Sequence, residues 1–129
     1  MAWGQYVLDK GYNPAAAVTK FRAVKFSANH TVTPVTGITD VIAGWVQYGV
    51  ATAEVAKGKD VSVRMLGVTE AEASGAIAVG NYCQLENDGR VKVLTGSSGA
   101  LIVGKCVGVP STNAGDRIAM LIIHTNAVA

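Results

Sequence analysis

The chain has 129 residues and a mass of 13.3 kDa, which is room for one domain that needs no metal or disulfide to fold. Half of the residues are apolar, and Ala, Val and Gly supply 53 of the 129, which argues against a disordered chain. The net charge of +2 argues against a nucleic-acid-binding domain, and the longest apolar run, residues 118–123, is too short to cross a membrane.

Residues 1–18 are predicted to form an N-terminal arm, because they show no sustained period of 2 or 3.6. Trp3, Tyr6 and Tyr12 are its candidate anchors, since three large aromatic side chains are unusual on a tail that touches nothing. A frayed terminus is the alternative. No basic stretch precedes an apolar one here, so we expect no signal peptide and an intracellular origin.

Residues 19–129 are predicted to form a β domain, because runs of β-branched and alternating residues are separated by glycine-containing turns. Pro34 indicates that its strand lies at a sheet edge. The predicted strands cover residues 20–26, 31–36, 44–53, 61–66, 82–86, 90–94, 101–109 and 116–124.

The clearest local signal is Asn87-Asp88-Gly89 between two alternating runs, which predicts a hairpin. Residues 69–73 favour helix but precede Gly75 closely, so we interpret them as strand. The run at 116–124 is apolar enough to be a central strand. A Gly-Val pair is followed by a glycine turn and a strand three times at irregular spacing, which excludes a solenoid and indicates a small, mostly antiparallel β-barrel or sandwich-like domain with an extended N-terminal arm.

Catalytic and metal-binding patterns are weak. Residues 99–106 nearly match a phosphate-binding loop, but Cys106 stands where a hydroxyl ligand for Mg²⁺ is required and no helix can follow. His30 and His124 are far from any partner ligand in sequence, and Glu70 with Glu72 is interpreted as an exposed face that aids solubility. We therefore predict no enzyme, no metal and no cofactor.

Cys83 and Cys106 lack the spacing of redox or zinc motifs, and we interpret them as two buried thiols in a reducing compartment. Residues 1–28 carry four cations against one anion, a net +3 that suits docking on an acidic protein surface or, equally, simple solvation.

Five elements with spaced glycines form a recognisable set: 51–63 with its Gly58 turn, 77–81, 87–91, 102–106 and 114–118. Through these elements the stretch from about Phe21 to His124 resembles a family of capsid decoration, or cement, proteins of tailed bacteriophages. Where the usual pattern has Gly-Asp before a strand, this chain has Gly80-Asn81.

The resemblance implies a compact β-barrel or β-tulip fold and a structural virion protein on the outer surface of the capsid. Such proteins are often homotrimers at local three-fold positions and bridge neighbouring major capsid subunits. The low net charge and the short apolar runs predict no nucleic-acid or membrane partner. The candidate contact residues are Trp3, Tyr6, Tyr12, Phe21 and Arg22, while Trp45 and Tyr48 belong either to the core or to a subunit interface. The alternative is a small-ligand- or carbohydrate-binding β-barrel, such as a receptor-binding appendage.

Overall fold

A computed structural model of the chain describes residues 5–96 and 99–124, with the backbone alone for residues 5–7. No helix in these described ranges is long and apolar enough to cross a membrane. The elements in chain order are β1 (Gln5–Pro14), β2 (Ala23–Ala28), β3 (Thr31–Pro34), β4 (Gly44–Val46), α1 (Thr52–Ala56), β5 (Val61–Glu72), β6 (Tyr82–Leu85), β7 (Val91–Val93), β8 (Ile102–Gly108) and β9 (Arg117–Ile122).

Strand pairing divides the sheet into a closed part and an extension. The order β1-β3-β2-β4-β5 closes on itself through a β1–β5 pairing, which gives a five-stranded barrel. The other strands continue from β5 in the order β9-β8-β6-β7. The pairings are antiparallel except that of β1 with β3, so the mostly β, barrel-like class predicted from the sequence is confirmed.

The extended N-terminal arm is not confirmed. Residues 5–14 form β1, which pairs with β5 from Gln5↔Val68 to Tyr12↔Val61 and thus belongs to the barrel wall. The alternation of apolar and polar residues is hidden in the sequence because the β1–β5 register shifts twice, on either side of Leu8. An ion pair supports the pairing, since the Arg64 guanidinium donates to both carboxylate oxygens of Asp9 at 2.9 and 3.1 Å.

Two apolar clusters explain the abundance of small and β-branched residues. The barrel interior is filled mostly by valines together with Tyr12, whose hydroxyl donates to the Met65 sulfur at 3.5 Å. A second cluster lies under the sheet extension and holds Trp45, which is fully buried. Valine suits an interior this narrow, because its side chain is short and fills space near the backbone.

Two predicted strands differ from the observed elements. The strand expected over 44–53 ends at Val46, and residues 52–56 form the short helix α1, whose first turn is held by a hydrogen bond from the Ala51 N–H to the Glu54 carboxylate at 3.0 Å. Pro34 does not mark an edge strand. It is the last residue of β3, opposite Val24, where the ladder ends and an N–H is no longer required.

The strand predicted over 20–26 begins only at Ala23, whereas three other local predictions are confirmed. Tyr82–Leu85 and Val91–Val93 form the expected hairpin, with Gly89 at a φ of +87° in the turn. Residues 69–72 are the end of β5 rather than a helix, and β9 is central between β5 and β8.

The turn after β3 depends on one carboxylate. Asp40 accepts hydrogen bonds from the N–H groups of Thr36 and Gly37 at 2.8 and 3.1 Å and from the Lys25 ammonium at 3.0 Å. Partial burial raises the pKa of Asp40, but the Thr36, Lys25 and Gly37 hydrogen bonds lower it by more, so the net shift is downward.

This shift predicts a pH dependence of stability. Because the pKa is lower in the folded chain, the stabilisation is complete above the unfolded value of about 3.9 and is lost as pH falls through the folded value. Asp40→Asn is therefore expected to lower the melting temperature at pH 7 by a few degrees and to leave it unchanged near pH 2. Thermal unfolding between pH 2 and 7 checks this, with the exposed Asp60→Asn as control. An equal loss for both variants at pH 7 would contradict it.

Candidate docking face

One face of the sheet carries exposed side chains across five strands. Thr69, Met120 and Cys83 point inward and are buried, so the residues that alternate with them point outward. The pairs Val68↔Leu121, Leu121↔Lys105 and Lys105↔Tyr82 place these outward residues side by side. We call this surface of β1, β5, β9, β8 and β6 the outer face.

One half of the outer face is apolar. Leu66 on β5 is 44% exposed and lies opposite Leu8 of β1, which is 42% exposed. Leu121 is 40% and Tyr82 47% exposed, and the Lys105 ammonium lies 5.4 Å from the centre of the Tyr82 ring. We name this half the outer stripe, and it consists of Leu8, Leu66, Val68, Leu121, Lys105 and Tyr82. A row of large apolar side chains on an open sheet face indicates a protein-binding surface.

The other half of the outer face is charged. Glu72 of β5 accepts two hydrogen bonds from the Arg22 guanidinium, at 3.1 and 3.3 Å, and Arg117 of β9 lies 3.7 Å from Glu70. Arg22 also lies 4.0 Å from Asp88 in the β6–β7 turn. Glu70 and Glu72 share one face, as the sequence predicts, but both are engaged in ion pairs rather than free in solvent.

Phe21 lies beside these charges. Its ring is half-buried, with the Lys20 ammonium 5.6 Å and the Arg117 guanidinium carbon 5.1 Å from the ring centre. Phe21 and Arg22 are therefore brought together with β5 and β9 on the outer face, although about 50 residues separate them from Glu72 in sequence.

The other candidate contact residues are placed elsewhere. Tyr12 is 6% exposed and its ring packs inside the barrel against Phe26, with ring centres 5.3 Å apart. Trp45 lies in the core, which is one of the two alternatives, core or subunit interface, that the sequence allows for it. Tyr48 is 40% exposed, and its hydroxyl donates to the Asp60 carbonyl at 3.1 Å.

Two N-terminal candidates can be placed only in part. The backbone of Tyr6 pairs with Gly67 in the β1–β5 ladder. Trp3 lies outside the described residues. Their roles as anchors stay predictions.

The titratable side chains show little that could perform chemistry. Cys83 and Cys106 are both buried free thiols, as expected, and burial raises the pKa of Cys83 to about 12 and also raises that of Cys106. Such thiols are poor nucleophiles and poor metal ligands at neutral pH. Within residues 5–96 and 99–124, no group of three or more His, Cys, Asp or Glu is placed to hold a metal. Residues 102–106 are strand, not a phosphate-binding loop.

The whole-chain comparison identifies the class of protein. The model of the phage cement protein family matches residues 2–122, and the chain therefore belongs to that family. It is a structural protein of the phage virion, and the resemblance seen in the sequence is confirmed.

A solved structure shares the fold. The crystal structure of the head fiber gp8.5 N base in bacteriophage phi29 is similar with a TM-score of 0.65 and 14% sequence identity. The similarity covers 95% of this chain and 97% of that chain. No curated protein matches the sequence.

The sequence indicates two contact residues in the charged half of the outer face, Phe21 and Arg22, and none in the outer stripe. Phe21 and Arg22 stand out as an aromatic next to a cation, whereas Leu66 and Leu121 read as ordinary strand residues. No sequence signal separates Leu121 from its neighbours, because residues 118–123 are all apolar and only the fold leaves Leu121 exposed while 118–120 and 122 are buried.

Proposed function

We propose that this protein binds the outer surface of the assembled phage head and stabilises it by bridging neighbouring major capsid subunits. Membership of the cement family supports attachment to the head. The observation that carries the proposal is the outer face itself, because it joins an apolar stripe to an array of charged side chains on a rigid sheet. Apolar contact area beside polar and charged side chains is the usual composition of a protein-binding surface.

The width of the outer stripe suits bridging. Its residues lie on five strands, and four inter-strand spacings amount to roughly 19 Å. A surface this wide can contact two adjacent subunits at their junction. Each contact needs only modest affinity. One copy that binds two subunits gains avidity, and many copies on one shell add their contributions to its stability.

The proposed contact residues follow from their positions. Phe21 and Arg22 act on the charged half of the outer face, and Tyr48 acts as a separate exposed aromatic. Tyr12 and Trp45 support the surface from inside the barrel and the core. We further propose that the protein acts as a homotrimer, which the molar mass measured by light scattering tests directly.

A ligand-binding barrel is less well supported. The interior of the barrel is filled by Val18, Val24, Val32, Val46, Val50, Val61 and Val63, which are each at most 6% exposed. A barrel that binds a small molecule keeps that space open.

Leu66→Asp tests the docking role of the stripe. The substitution places a charge opposite the apolar Leu8 in the outer stripe, so we expect head binding to fall by more than tenfold, since a buried unpaired charge costs about 3 kcal/mol or more at an interface. Folding should persist because the side chain points to solvent. The measurement is co-sedimentation with expanded, undecorated heads, quantified as copies per major capsid subunit.

Val79→Asp is the matched control. Val79 is 56% exposed and lies in the loop between β5 and β6, outside the outer face. Equal binding losses for the two variants, or unchanged binding by Leu66→Asp, would show that the stripe is not the docking surface. Absence of pelleting by the unmodified protein would overturn the proposed function as a whole.

A further inference from the structure

The backbone at Phe21 is strained. Its φ is +64°, a left-handed conformation that a bulky aromatic residue rarely adopts. Two hydrogen bonds hold it there: the Phe21 N–H donates to the Val46 carbonyl at 2.8 Å, and the Phe21 carbonyl accepts from the Glu72 N–H at 2.9 Å. Strain of this kind persists where the surrounding structure enforces it, and it is concentrated at functional sites.

The strained backbone places an aromatic ring between charged groups. Lys20 and Arg117 lie 5.6 and 5.1 Å from the ring centre, and the ring borders a surface concavity of about 320 Å³. We call this concavity the Phe21 site, and its lining residues are Thr19, Lys20, Phe21, Glu72, Gly115 and Arg117.

The charges in the Phe21 site do not cancel. The Glu72 carboxylate is already neutralised by the two hydrogen bonds from Arg22. Lys20 is exposed and has no ion-pair partner among the described residues, and Arg117 is 46% exposed with a single long contact of 3.7 Å to Glu70. Within the described ranges, Lys20 is thus the cation without an ion-pair partner beside the apolar ring, and Arg117, which makes no hydrogen bond to Glu70 at 3.7 Å, keeps N–H donors for an added anion.

We propose that the Phe21 site binds a carboxylate side chain, Asp or Glu, of the capsid partner. The carboxylate accepts from Lys20 and Arg117 while its methylene groups pack on the Phe21 ring. This inference rests on the proposed head binding and names the chemistry of the partner at one end of the outer face. The Phe21 ring shields these ion pairs from water, and the lower local dielectric constant strengthens their attraction.

The double variant Lys20→Gln with Arg117→Gln tests the site. We expect its affinity for heads to fall about tenfold at 50 mM salt, and the salt dependence of binding to become shallower, because two screened ion pairs are lost. The matched control removes two cations elsewhere, Lys57→Gln with Lys92→Gln, and should keep both affinity and salt dependence.

A second variant separates binding from folding. Phe21→Gly removes the ring but relieves the positive φ, so the melting temperature should stay within a few degrees while head binding weakens. A structural role alone predicts a lower melting temperature with unchanged binding, which would overturn the inference. Equal affinity and salt dependence for the two double variants would also overturn it while leaving the proposed function standing. If the unmodified protein does not bind heads at all, the proposed function and this inference fall together.

Discussion

Gly44→Ala is expected to destabilise the protein by about 3 kcal/mol, which corresponds to a melting temperature lower by roughly 10 °C. Gly44 begins β4 and lies against β5, where an added Cβ would overlap the carbonyl oxygen of Arg64 and stand 2.9 Å from the carbonyl carbon. These are backbone atoms of a strand that pairs on both sides, so they cannot move aside as a side chain does. Urea and thermal unfolding measure the effect.

Alanine substitutions at two other glycines serve as comparisons for the stability loss of Gly44→Ala. Gly104→Ala would overlap the Met120 side chain, which is flexible, and should therefore cost less than Gly44→Ala. Gly75→Ala meets no atom within 4 Å and should be nearly neutral. If Gly44→Ala and Gly75→Ala unfold at the same temperature, then β4 does not approach β5 as closely as described.

Deletion of residues 1–14 is expected to abolish cooperative folding. It removes β1, the longest partner of β5, together with Asp9 and Tyr12, and it opens the valine-filled interior to water. A domain of this size is stable by only about 5–15 kcal/mol, less than the loss of a complete barrel strand. We therefore expect an aggregated or partly folded product without a sharp thermal transition, in contrast to the behaviour of a dispensable arm.

Deletion of residues 1–4 is the control for this experiment, because it leaves every described pairing of β1 in place. Circular dichroism melts of the two truncated proteins decide between the interpretations. A cooperative melt of the 1–14 deletion close to that of the full chain would establish residues 1–14 as a separable arm after all.

Prediction from the sequence succeeded where the determinants are local. The β6–β7 hairpin was recognised because Asn-Asp-Gly supplies a turn between two alternating runs, and Gly89 does adopt positive φ. The end of β5 was recognised because Gly75 leaves too little length for a stable helix. In both cases a few neighbouring residues determine the element.

Prediction failed where distant residues determine the structure. Residues 5–14 become a strand because β5, roughly 50 to 60 residues further along the chain, provides a partner for a bulged sequence. The outer stripe escaped notice for the same reason. Leu8, Leu66 and Leu121 are ordinary apolar residues until the sheet order places them on one exposed surface.

The position of β5 in the sheet also constrains how the chain acquires its structure during synthesis. β5 pairs with β1, β4 and β9, so β1 has no complete partner until residue 68 has left the ribosome, and β9 follows later still. Pairings of such long sequence separation make folding slow. The valines of β2, β3 and β4 are exposed to water during this interval. At high expression, slow closure of the barrel would therefore favour aggregation of the incomplete chains.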